Sequence, residues 1–125
     1  MIKQIPSKEV ESHIKNNPKS VLLDVRAEEE WNADGKPDGE KISLKTHYLT
    51  IQLADGSFNE SFVEDFKKLG IEKDQEILTM CMGGVRSQAA AELLTKENYS
   101  CSNISDGFLG NSSNLGWKKS GLPCK

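Results

Sequence analysis

Residues 77–96 restrict the fold of this chain more than any other stretch. Ile77-Leu78-Thr79-Met80 reads as a short buried strand, and residues 88–96, rich in alanine and leucine, read as a helix with Ser87 as its N-cap. Between them stands Cys81-Met82-Gly83-Gly84-Val85-Arg86-Ser87. A strand that ends in cysteine and turns through glycines into a helix gathers backbone N–H groups around the sulfur. It also points the positive end of the helix dipole at it. Gly83 and Gly84 permit positive φ and let main-chain donors come close. Arg86 adds a fixed positive charge with planar donors. Together these favour an anionic sulfur, the form that attacks. Cys81 is the expected nucleophile, and Met82, Gly83, Gly84, Val85, Arg86 and Ser87 the expected substrate-binding loop. A cysteine without such neighbours is usually a small buried apolar residue, as expected of Cys101.

The length of 125 residues predicts one domain, 1–125, able to bury a core without staples. A net charge of −3 gives no general attraction to nucleic acid or to an anionic membrane, so an anionic substrate needs a local positive site. Cysteines at 81, 101 and 124 are odd in number and irregular in spacing, which predicts neither a disulfide framework nor a zinc site. No cofactor is called for. Reduced thiols fit a cytoplasmic protein. Met1-Ile2-Lys3-Gln4-Ile5-Pro6 lacks the apolar run of a signal peptide, and no stretch approaches the length of a membrane span.

In chain order, Lys3-Gln4-Ile5 reads as a short strand. Residues 7–16 read as a modest helix carrying Val10 and Ile14, with His13 beside that stripe. Val21-Leu22-Leu23 is a continuous apolar run, as in a central parallel strand, and it leads into Asp24 and Arg26. In open α/β sheets that carboxyl edge is where ligands bind. A short helix over 27–31 would let Arg26 pair with Glu30 at i,i+4, a structural tie first and a site element second, with Trp31 as packing. Residues 32–41 read as a loop, 45–53 as a strand beginning near His47, and Asp55-Gly56 as a turn. Asn59 is the expected N-cap of a helix over 60–69 that Gly70 stops. Residues 101–105 are the expected last strand, and Cys124 sits in a tail expected to fray. Strands alternating with helices predict an open, mostly parallel α/β sheet with helices on both faces. The tips carrying Asp24, Arg26 and Cys81 should share one edge.

These residues resemble a known family. Leu22-Leu23-Asp24-Val25-Arg26 with Glu30-Trp31, then Cys81-Met82-Gly83-Gly84-Val85-Arg86-Ser87, then Asp106-Gly107-Phe108 and Trp117-Lys118-Lys119-Ser120-Gly121-Leu122-Pro123 are similar to the three signatures of single-domain rhodanese-like proteins, in the same order. The resemblance implies a rhodanese fold and sulfurtransferase chemistry. Cys81 would take a sulfane sulfur from thiosulfate or a persulfide and pass it, as a persulfide, to cyanide, a thiol or a protein acceptor. Asp24, Arg26 and Glu30 would support the site.

Two stretches depart from the family pattern. Gly35-Lys36-Pro37-Asp38-Gly39 replaces the usual "GHIPGA" segment of the pocket wall. Met82 stands where thiosulfate-preferring members often carry a cation, which puts a persulfide or protein-bound donor level with thiosulfate. A cysteine-dependent phosphatase or arsenate reductase also uses Cys, a glycine-rich loop and Arg. The four residues between Cys81 and Arg86 are one fewer than phosphatase loops usually have. A binding module that keeps the fold without turnover is the third reading.

Overall fold

The computed structural model describes all residues, Met1–Lys125. Five parallel strands form one sheet: β1 (Lys3–Ile5), β2 (Val21–Asp24), β3 (Lys45–Tyr48), β4 (Glu76–Met80) and β5 (Ser100–Ile104), in the order β1-β5-β4-β2-β3. The helices are α1 (Val10–Asn16), α2 (Glu28–Asp34), α3 (Phe62–Lys68), α4 (Val85–Lys96) and α5 (Gly116–Lys119).

The two central strands are buried on both sides, so alternate residues feed two different cores. Val21, Leu23, Val25, Ile77 and Cys81 face one core, closed by Phe62 and Phe66 of α3 and by Ala90 and Leu94 of α4. Leu22, Leu78 and Met80 face the other, closed by Val10 of α1, Trp117 of α5 and Phe108. Helices therefore cover both faces, as the alternating pattern predicts. Small Ala90 and Ala91 are wholly buried, which lets α4 lie close to the sheet. Thr79 is the polar exception on the first face. Its hydroxyl donates to the carbonyl oxygen of Ser87 on α4 at 3.0 Å, which ties the strand to the helix that follows it.

Several local expectations change in three dimensions. The strand predicted over 45–53 ends at Tyr48; Leu49 and Ile51 still donate to Asp24 and Val25, after which the chain turns into a hairpin closed by Gln52 and Phe58. Asn59 lies one turn before α3. Its side chain accepts from the Ser61 N–H and donates to the Thr50 carbonyl, fastening the hairpin to the helix, and Ser61 takes the N-cap position.

The tail is tied down rather than frayed, because Lys36 and Lys125 exchange two backbone hydrogen bonds of 2.8 Å and Asp38 donates to Pro123. Asp106 fastens the same end of the molecule: its carboxylate accepts from the Ser7 N–H and hydroxyl and from the Gly116 N–H, each at 2.9 Å. His13 pairs with Glu76 at 2.5 Å, and His47 stands opposite Leu23 on β3, the edge strand of the sheet.

Candidate active site

β2 and β4 run in register, Asp24 beside Met80, so the two strand tips emerge together. The next residue after β4 is Cys81, 1% exposed. Its sulfur accepts a hydrogen bond from the Gly84 N–H at 3.2 Å and lies 3.3 Å from the Ser87 hydroxyl. The N–H groups of Met82, Gly83, Val85, Arg86 and Ser87 have no acceptor in the protein. Three of them are first-turn amides of α4, which have no partner inside a helix. The loop therefore presents a set of free donors at the positive end of a helix, the arrangement expected from the sequence.

Its construction differs in two details. Only Gly84 takes positive φ, at 109°, and it is itself the N-cap of α4. Ser87 lies inside the first turn, so it is not the cap. Its hydroxyl is 2.5 Å from Asn103 Oδ1 as well as facing the sulfur. With one proton the hydroxyl can donate to only one of them at a time. Asn103, missed in the sequence, also donates to the Gly84 carbonyl at 3.0 Å and so fixes the loop from β5. Nothing in the local pattern around an Asn on an expected strand marks it. Only the pairing of β5 with β4 brings it under the loop.

Below the loop, Phe108 and Leu109 donate to the carbonyls of Cys81 and Met82 at 2.8 and 3.1 Å. Gly107, at φ 61°, packs directly on those carbonyls, where a Cβ would collide. A Cβ on Gly84 would likewise collide with the Ser105 carbonyl oxygen. Gly84→Ala should therefore cost about 2 kcal/mol or more, from a disfavoured φ plus the overlap. A urea unfolding midpoint unchanged from wild type would contradict this.

The charged groups pair differently from expectation. Arg26 does not reach Glu30. Asp24 and Arg26 are both wholly buried and pair with each other, with Arg26 Nη2 to Asp24 Oδ2 at 2.9 Å and Arg26 Nε within 3.1 Å of both oxygens. Arg26 also donates to the Gly35 carbonyl and stacks 4.2 Å from the Phe108 ring. Both residues share the strand edge with Cys81 but point to the opposite face of the sheet.

Glu30 instead crosses to Arg86, with paired contacts of 2.6 and 2.8 Å. It also accepts from the Ala27 N–H at 3.0 Å. Glu30 thus locks α2 to the amino end of α4 beside the loop. The Arg86 hydrogen bonds hold the Glu30 carboxyl below its ordinary value of 4.5, against the opposing effect of burial. A depressed folded-state pKa stabilises the protein at pH above the ordinary carboxylate range. That contribution is lost as pH falls through the lower, folded value. An NMR titration of the Glu30 side chain should therefore show a midpoint below 4.5; a midpoint at or above it would mean the pair does not form in solution.

The other thiols lie away from the loop. Cys101 packs on the first core, where burial pushes its thiol up to about 11. Cys124 packs on the second core, across the sheet from Cys81, and burial raises its thiol too. A sulfur relay between Cys124 and Cys81 is not built into this arrangement. No group of three or more His, Cys, Asp or Glu side chains converges as a metal site would require. No helix is long and apolar enough to cross a membrane.

The family model for the rhodanese-like domain matches residues 7–113. The chain belongs to the rhodanese-like domain family. It is similar to the uncharacterized protein RP600 of Rickettsia prowazekii, with 38% identity over 109 residues, covering 86% of this chain and 84% of that one. The crystal structure of Rv0390 from M. tuberculosis superposes with a TM-score of 0.84 at 29% identity, covering 98% and 96% of the two chains. A rhodanese-like domain protein from Staphylococcus aureus superposes at 0.69 with 20% identity over 99% of each chain, which speaks to the fold alone. So does a Rhodopseudomonas palustris protein titled a possible tyrosine phosphatase, at 0.64 and 20% identity, covering 99% of this chain and 85% of that one. The rhodanese-like fold thus carries its loop at the β4–α4 junction, with Cys81 at the base.

Proposed function

We propose that the protein is a sulfurtransferase in which Cys81 accepts a sulfane sulfur from a persulfide or thiosulfate and passes it, through a Cys81 persulfide, to a thiol or cyanide. The observation that carries this reading is a buried sulfur that accepts the Gly84 N–H and is followed by a run of loop amides with no acceptor in the protein. A persulfide adds one anionic sulfur beyond Sγ, and such an atom needs donors in place of water. The chemistry needs no separate general base, and neither histidine hydrogen-bonds Cys81. Membership of the rhodanese-like family supports the same reading.

The Cys–loop–Arg pattern also suits a phosphatase. Against that stands the engagement of both outer nitrogens of Arg86 by Glu30, since an oxyanion clamp needs those donors open. The test is intact-mass analysis after incubation with thiosulfate and, separately, with a small persulfide. Addition of one sulfur atom, reversed by cyanide, is the expected result. No addition from either donor, with hydrolysis of a phosphate ester, would favour the phosphatase chemistry. If neither sulfur addition nor hydrolysis is found, the third reading, a binding module without turnover, is what remains.

A further inference from the structure

Beside the Arg86–Glu30 pair the surface is cut by a groove made of three adjoining depressions of about 140, 410 and 420 Å³. The first lies between the hairpin and α4, with Phe58 and Ala89 as its walls and Arg86 at its end. The second passes Arg86 and Glu30 to reach Glu29 and Leu53. The third continues to Glu28 and Asp55.

The charge along this groove is one-sided. The chain has 16 lysines and arginines, yet Arg86 is the sole cation in the lining, and Glu30 neutralises it. Glu28, Glu29 and Asp55 are exposed, and none of them enters an ion pair. Three carboxylates without an ion-pair partner therefore line the groove as it leads away from Arg86. Of the few exposed large apolar residues, Leu53 at 47% lies among them, Phe58 at 51% lines the depression at the Arg86 end, and Val85 at 83% stands on the loop itself.

A carboxylate-lined approach repels a small dianion and attracts cations. Cys81 is buried, so a donor must press its sulfur down into the loop, and binding contacts around the loop favour that approach. We propose, building on the sulfur-transfer reading, that the partner of Cys81 is a protein cysteine set in a basic segment with an apolar anchor. The basic side chains lie along Glu28, Glu29 and Asp55, and the anchor rests on Leu53 and Phe58. In loading, the Cys81 thiolate bonds to the outer sulfur of the partner's cysteine persulfide. The partner's S–S bond breaks, its inner sulfur leaves as a thiolate with the electron pair, and the proton of the more acidic persulfide passes to that thiolate, which leaves the transferred sulfur anionic among the loop amides. Unloading is the same exchange reversed, and neither direction needs an oxidant or a reductant.

The test compares two synthetic peptide persulfides of equal length, each with a leucine beside its cysteine, one flanked by lysines and the other by glutamates. Hydroxyethyl persulfide serves as a small reference donor, and loading of Cys81 is followed by intact mass. At low ionic strength the lysine peptide should load at least about tenfold faster than the glutamate peptide. The ratio should approach one in about 0.5 M salt. In a Glu28→Gln/Glu29→Gln/Asp55→Asn variant the low-salt ratio should fall below about threefold. The Asp55→Asn change keeps a side-chain oxygen to accept from the Ser57 N–H and hydroxyl, so the turn is preserved.

Equal rates for the two peptides, or a ratio that the variant leaves intact, would overturn the groove assignment. If the reference donor still loads, sulfur transfer stands without it. Loading from none of the three donors would instead remove the sulfur-transfer reading, and the groove assignment with it.

Discussion

Cys81→Ser is expected to abolish sulfur loading while leaving the fold intact. A serine oxygen at neutral pH is a poor nucleophile, and it cannot form the sulfur–sulfur bond of a persulfide. The loss should reach at least about a thousandfold, or roughly 4 kcal/mol of barrier. The substitution is nearly isosteric, and the new hydroxyl can accept the Gly84 N–H that now meets the sulfur. Unfolding stability should therefore stay within about 1 kcal/mol of wild type. The two readouts are intact mass after persulfide treatment and a urea unfolding curve. A sulfur adduct that persists in the serine variant and is still removed by cyanide would transfer the chemistry to Cys101 or Cys124. Loss of loading together with collapse of the fold would make Cys81 a packing residue first.

Asp24→Ala should produce the largest loss of stability, about 3–5 kcal/mol, because it strands the Arg26 guanidinium in a site with no water to solvate it. Arg26 and Asp24 are each 0% exposed, and Arg26 Nη1 already lacks a partner. Removing the carboxylate also frees the Arg26 N–H that it accepts at 3.0 Å. The effect should reach the loop. The Arg26 guanidinium lies on the Phe108 ring, and Phe108 donates to the Cys81 carbonyl. A paired Asp24→Leu/Arg26→Met change removes both charges and should recover most of the loss, since replacing a buried pair by apolar groups is often neutral. Urea unfolding of the single and double variants separates the cases. A single-variant cost below about 1 kcal/mol would mean that water reaches Arg26.

Much of this protein is legible in its sequence because the signals are local. Val21-Leu22-Leu23 and Ile77-Leu78 are apolar without alternation, and both segments prove to be strands buried on two faces. The cysteine, the glycines and the alanine-rich run after them are contiguous, so the strand–loop–helix junction and its free amides follow from residues a few positions apart. What a continuous apolar run cannot convey is which face a given tip residue occupies.

Only the tertiary structure decided the pairing of charges. Arg26 stands four residues before Glu30, a spacing that suggests a pair within a helix. Yet Arg26 follows a strand of alternating faces and turns under the sheet to Asp24, while Glu30 meets an arginine 56 positions away. The same holds for Asn103 under the loop, for the tail sealed against Lys36, and for the acidic groove between the hairpin and α2. Each joins segments far apart in the chain. Hydrophobic periodicity and turn residues report the conformation of a segment, whereas these contacts depend on which strands the sheet sets side by side.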